Sequence, residues 1–139
     1  MKTLVIFYSY TGRTRTISRE LAAKEQFDIT EIKSAKRIVK LRAYTTGIIA
    51  SIKGKPWPIQ PLDVDLPEYD NLVLLSPVWA GNPPPAVNAF IELLPTGKAI
   101  AVKMVSASGK SECRDRLETK FREKECTLES FEDIQTRKA

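Results

Sequence analysis

The sequence predicts an α/β fold built on a parallel sheet, and two observations carry the prediction. Leu4 to Tyr8, Asn71 to Ser76 and Ala99 to Val105 are continuous apolar runs without polar alternation, as strands covered on both faces are. Segments with helical apolar spacing stand between them. Alternating strands and helices call for parallel pairing through right-handed crossovers. The 139 residues suit one domain, 1–139, large enough for a core without staples.

The elements follow in order. Residues 3 to 8 form the first strand, and a polar turn ending at Gly12 leads to a helix over Thr14 to Lys24, with Ile17, Leu21 and Ala22 on one stripe. Phe27 to Ile32 is a weaker second strand. Ser34 to Gly54 carries Ile38, Leu41, Ile48, Ile49 and Ile52 at helical spacing, interrupted near Thr45-Thr46-Gly47. Pro56, Pro58, Pro61 and Pro67 mark an extended connection, because proline lacks a donor and biases its predecessor away from helix. Asn71 to Ser76 is the third strand, Ala86 to Leu94 a helix opened by prolines, and Ala99 to Val105 the fourth strand. Ser111 to Glu125 is a charged helix with Leu117 and Phe121 inward. Thr127 to Ile134 is read as a fifth strand, although Leu128, Phe131 and Ile134 also fit a helical period.

Composition narrows the chemistry. Histidine is absent, which removes imidazole bases, most zinc sites and histidine pH switches. No metal site and no catalytic side chain is expected, and a borrowed cofactor is the natural source of any chemistry. Cys113 and Cys126 match no metal or redox spacing and read as idle thiols. The first apolar run is too short for a secretory leader, and no stretch is long enough for a membrane span. The expected location is the reduced cytoplasm. The net charge is +5, and Lys33, Lys36, Arg37, Lys40, Arg42, Lys53 and Lys55 lie in a stretch, 33 to 62, without any acid. That stretch reads either as a solvated helix face or as an attractor of anions. No nucleic-acid module accompanies it. Asp63, Asp65, Glu68 and Asp70 read as solvated loop acids.

Three loops at strand ends could hold a ligand. Ser9-Tyr10-Thr11-Gly12-Arg13-Thr14 joins a buried strand to a helix, whose free N–H groups and dipole favour an anion. Its hydroxyls add donors and Gly12 admits close backbone approach. The same residues would also serve as a plain helix cap. Neither the nucleotide P-loop nor the dinucleotide fingerprint is present. Ser76-Pro77-Val78-Trp79-Ala80-Gly81-Asn82-Pro83 puts a tryptophan on a loop where a flat ring could stack, unless the indole folds back onto the helix at Ala86 to Leu94. Ser106-Ala107-Ser108-Gly109-Lys110 is a small-residue loop suited to a ligand edge, though such loops are common. In an open α/β sheet ligands sit outside the carboxyl ends of the strands, where strand order reverses.

Tyr8-Ser9-Tyr10-Thr11-Gly12-Arg13-Thr14 together with Ser76-Pro77-Val78-Trp79-Ala80-Gly81 resembles the short flavodoxin family, and the likeness runs along nearly the whole chain. The resemblance implies a flavodoxin-like three-layer sandwich with about five parallel strands in the order 2-1-3-4-5. It implies FMN as cofactor, with the phosphate on Ser9, Thr11, Gly12, Arg13 and Thr14, and Tyr10 in the same turn also against the cofactor. The isoalloxazine would lie against Pro77, Val78, Trp79, Ala80 and Gly81, and its polar edge against Ser106, Ala107, Ser108 and Gly109. It further implies electron transfer, as a carrier with a redox partner protein or as a small flavin reductase with a small-molecule acceptor. The other reading is a fold of this type without flavin that binds a partner or a phosphate-bearing ligand. A phosphoacceptor receiver domain would need acids where Ser9 and Ser76 stand.

The chain departs from that family in three respects. It is basic where electron-carrying flavodoxins are acidic, its third loop lacks an aromatic ring, and it ends without the usual closing helix. A charge about 8 Å from the flavin, at an effective dielectric near 20, is worth about 2 kcal/mol, so the basic stretch predicts a less negative hydroquinone potential. A sheet face without its helix would expose apolar strand surface, which predicts a homodimer or a covering partner.

Overall fold

The computed structural model of the chain describes residues 2–35 and 46–136. Five parallel strands form one sheet: β1 (Thr3–Phe7), β2 (Asp28–Glu31), β3 (Asn71–Pro77), β4 (Ala99–Ser106) and β5 (Thr127–Gln135). Their spatial order is β2-β1-β3-β4-β5, as the resemblance implied. The order reverses between β1 and β3, so the loops that follow these two strands open into one crevice.

The two faces of the sheet bury different amounts of apolar surface. Leu4, Ile6, Leu72, Leu74, Ile100, Val102 and Met104 point into the larger core, where helices α3 (Pro85–Glu92) and α4 (Arg114–Glu123) contribute Phe90, Leu117 and Phe121. A short helix, α2 (Ile48–Lys53), lies beside α4: Arg116 donates to the Ser51 carbonyl at 3.1 Å and Lys120 to the Gly54 carbonyl at 3.0 Å. Cations at a helix carboxyl end complement its dipole. Burial, and next the neighbouring Arg116, lowers the Lys120 pKa from its ordinary value. The opposite face carries helix α1 (Arg13–Glu25) over a smaller cluster of Val5, Phe7, Ala22 and Leu75.

Beyond α1 that second face is mixed. The residues of β4 and β5 that point there are Ala101, Lys103 and Val105 with Ser130, Glu132 and Ile134, and Lys103 pairs with Glu132 at 2.7 Å. Ser130 and Glu132 are exposed on the edge strand, a composition that discourages edge-to-edge pairing.

The fifth strand resolves the ambiguity of its sequence. Ile100 pairs with Leu128 but Ala101 with Ser130, so Glu129 is skipped in the register. This irregularity puts Leu128 and Phe131, three residues apart, on one face and packs both against the main core. A helical spacing thus arises within a strand. Of the helix expected over Ser34 to Gly54, the described part is α2; Lys36, Arg37, Lys40 and Arg42 lie outside the described residues. The two ends of the stretch meet, because Ser34 bridges Ile59 and the Ala35 N–H donates to the Pro58 carbonyl. Among the described residues no helix is long and apolar enough to cross a membrane, and no His/Cys/Asp/Glu group could hold a metal ion. Both cysteines are free and buried, and burial pushes the Cys113 thiol up to about 11.

Candidate functional site

One side-chain bond shapes the first loop, and it leaves the N-cap of α1 without a side-chain cap. β1 delivers Tyr8 into the core, and burial raises its phenol above the ordinary value. The chain then turns through Ser9, whose Oγ accepts the Gly12 N–H at 3.0 Å. Gly12 precedes the first turn of α1 at φ 103° and ψ −12°, so the cap position has no side chain and makes no side-chain bond to the helix. The other hydroxyls do not take that role either. Thr16 donates backward to the Gly12 carbonyl at 3.2 Å, Thr14 is buried, and Ser18 donates to the Thr14 carbonyl at 2.7 Å. A Cβ on Gly12 would meet nothing within 4 Å. The amino end of α1 has a positive dipole, and the space beside Gly12 is open, a combination that fits a phosphate-bearing group.

The second loop is a tight reversal that presents Trp79. The Trp79 N–H donates to the Asn82 carbonyl at 2.7 Å, and the Asn82 N–H returns to the Trp79 carbonyl at 3.1 Å. Ala80 and Gly81 fill the two central positions at φ 52° and 83°. Both values are left-handed, as a type I′ turn requires. Holding an alanine there costs about 1–2 kcal/mol. Two bonds keep the turn in place: Asn82 Nδ2 donates to the Ala80 carbonyl at 3.0 Å, and the Glu112 N–H to the Gly81 carbonyl at 2.7 Å. Pro77 ends β3, and the half-buried Val78 and Trp79 pack against the main core.

Trp79 is partly covered, and its neighbours were not singled out in the sequence. A Cβ on Gly47 would lie 2.8 Å from Trp79 Cζ3 and 3.2 Å from Trp57 Cη2, so both indoles meet at this glycine. The rings of Tyr8 and Tyr10 stand edge-on to Trp79, with centroids 6.3 Å and 5.7 Å away. These contacts come from the segment at 47–57 and from the first loop. Pro56-Trp57-Pro58 is more than an extended connection, since it brings the second indole to Gly47.

The third loop repeats the device of the first. Ser106 Oγ accepts the Gly109 N–H at 3.0 Å, and Gly109 stands at φ 73°. A Cβ there would lie 2.8 Å from the Gln135 Cβ, so the glycine is needed for space as well as conformation. Ala107 and Ser108 are exposed. The Thr136 N–H donates to the Ser106 carbonyl at 2.9 Å, and Thr136 Oγ1 accepts from the Arg13 guanidinium at 3.5 Å. Arg13 thus links the start of α1 to the chain beyond β5. Together with the Tyr10–Trp79 pair, this brings all three loops to the carboxyl end of the sheet.

A cleft of about 330 Å³ lies elsewhere, between β2 and residues 60–63, where Arg19 and Lys33 face Glu31 and Asp63. It contains no residue of the three loops. Its mixed charge and position on the sheet edge separate it from the crevice between β1 and β3.

No protein-family model and no curated protein matches the chain. Solved structures do. A Lactobacillus acidophilus flavoprotein, solved in complex with FMN, is 21% identical with a TM-score of 0.75, over 94% of this chain and 91% of its own. A Bacteroides uniformis protein provisionally termed a flavoprotein is 23% identical with a TM-score of 0.78, over 99% and 92%. Oxidised flavodoxin 1 of Bacillus cereus is 22% identical with a TM-score of 0.56, over 99% and 87%. With its 2-1-3-4-5 sheet and these likenesses, the chain has the flavodoxin-like fold.

Proposed function

We propose that the chain binds FMN at the carboxyl end of its sheet and transfers electrons, as a carrier or as a small flavin reductase. The observation that carries this reading is the opening of α1. Its amino end is left without a side-chain cap, behind a glycine at φ 103° whose outward direction is empty. The phosphate would sit on the turn formed by Ser9, Tyr10, Thr11, Gly12, Arg13 and Thr14. The ring system would lie along Pro77 to Gly81, with Ser106 to Gly109 at its polar edge. The Lactobacillus acidophilus protein, a structural likeness, was solved with FMN, which supports the choice of cofactor.

FMN, when bound, supplies the redox chemistry, and the side chains supply binding, orientation and charge. Ser9 fixes the turn, Gly12 leaves room, and Arg13 adds a positive charge. The Trp79 turn is rigid through its paired backbone bonds, so the ring would meet a preformed wall. The bound flavin should have a less negative hydroquinone potential than in acidic flavodoxins, which a redox titration reads.

Titration of the purified chain with FMN tests the reading. Flavin fluorescence and the combined Trp57 and Trp79 emission should both fall to a saturable end point, and the complex should be yellow. No saturable quenching of either signal would reject it. One observation favours the second reading, a fold of this type without flavin: Gly47, Trp57, Tyr8 and Tyr10 already pack around Trp79. In that case inorganic phosphate would bind at α1 while FMN would not.

A further inference from the structure

The surface beside the candidate site combines apolar exposure with a segment, 33–62, that carries basic residues and no acid. Ile49 and Ile52, spaced three apart on α2, are 54% and 50% exposed. Spacing of three puts them on one side of the helix. Lys53 and Lys55 follow, both exposed, and no acid occurs anywhere from Lys33 to Leu62. The support beneath this patch is firmly held. Arg116 and Lys120 bond to the Ser51 and Gly54 carbonyls, and Asn88 Nδ2 donates to the Lys55 carbonyl at 3.2 Å. The patch is also continuous with the candidate site, since Gly47, one residue before α2, lies against Trp79.

Protein interfaces are built this way, with an apolar centre and a charged, hydrated rim. We propose that the Ile49–Ile52 side of α2 is the docking surface for an acidic redox protein, one that surrounds a small apolar spot with carboxylates. Charge complementarity selects an acidic partner and speeds encounter. Contact with Trp79 through Gly47 places the docked partner beside the proposed flavin, and in its purpose the proposal rests on that reading. A membrane surface fits less well. Helices that lie in a lipid interface present a broad apolar face, and the six residues of α2 offer two isoleucines.

The test uses the FMN-saturated chain and an acidic [2Fe–2S] ferredoxin as probe, with binding followed calorimetrically at low and high salt. The chain should bind the ferredoxin with an affinity that falls as salt rises. The paired reversal K53E/K55E should weaken binding about tenfold or more, chiefly through slower association. Ile49→Asp with Ile52→Asp should abolish it, while FMN affinity stays unchanged in both. Absence of ferredoxin binding, or binding indifferent to both pairs, overturns the proposal. So does cosedimentation with phosphatidylglycerol vesicles that depends on Ile49 and Ile52. The FMN titration of the same samples separates the two readings. Ferredoxin binding without FMN binding rejects the cofactor and keeps the docking surface, and the converse rejects docking alone.

Discussion

The ring of Tyr10 meets the ring of Trp79 edge-on, at 5.7 Å between centroids and 87° between planes. This contact joins the loop after β1 to the loop after β3 across the point where strand order reverses. An edge-to-face pair of this kind contributes about 0.5–1.5 kcal/mol beyond its buried area. A double-mutant cycle of Tyr10→Ala and Trp79→Ala under urea denaturation should return a coupling within that range. A coupling of zero would mean that the two loops are set independently.

Gly12 and Gly97 form a matched pair for separating strain from ligand contact. Both have positive φ, 103° and 81°, and a Cβ on either would meet nothing within 4 Å. Gly12→Ala and Gly97→Ala should each destabilise the chain by about 1–2 kcal/mol through backbone conformation alone. Only Gly12→Ala should also weaken FMN binding, because Gly97 lies in the connection entering β4, far from the three loops in the topology. Equal effects on FMN affinity would remove Gly12 from the site.

Ala80 holds a left-handed conformation that glycine adopts freely. Ala80→Gly should raise stability by up to ~1 kcal/mol. Gly81→Ala should lower it, since the added Cβ would lie 3.1 Å from Glu112 Oε2 at φ 83°. Thermal melts of the two variants are expected to move in opposite directions.

Alkaline pH should weaken the fold through groups that keep their protons longer when folded, Cys113 and Tyr69 together with the buried Tyr8. Burial pushes Cys113 from 9.0 up to about 11. The hydrogen bond that Tyr69 donates to Asp28 at 2.8 Å leads its rise from 10.0 to about 12. A raised folded pKa contributes stability that is complete below the unfolded value and is lost as pH rises through the folded one. Urea midpoints should therefore hold up to the thiol's ordinary 9.0 and decline beyond it. Cys113→Ala should remove the earlier part of that decline, and Tyr69→Phe should reduce the later part, to which Tyr8 also contributes. A midpoint that stays flat through this range would contradict both assignments.

Much of the fold was legible because burial on both faces leaves an unmistakable trace. Val5, Leu74 and Val102 sit in runs that no helix or surface strand would need, and each is fully buried. The fifth strand was obscured by the skipped Glu129, which shifts the apolar residues out of strict alternation. The three loops were legible as hydroxyl-rich or small-residue turns after strong strands. Which hydroxyls bond was not, because Ser9 and Ser106 accept from glycines three residues on, a matter of turn geometry. The cover over Trp79 was hidden for another reason: Gly47 and Trp57 are distant from it in sequence and are brought there by tertiary packing.

The helix that would receive the anion lies over the smaller of the two hydrophobic clusters. Val5, Phe7, Ala22 and Leu75 are the buried residues beneath α1, with Ile17 and Leu21 only half covered. Such an element should breathe more freely than α3 or α4, opening for solvent exchange at a fraction of the global unfolding cost. A negatively charged occupant at its amino end would quiet that breathing. Amide deuteration along residues 13–25 would then report occupancy of the turn, even for a colourless anion.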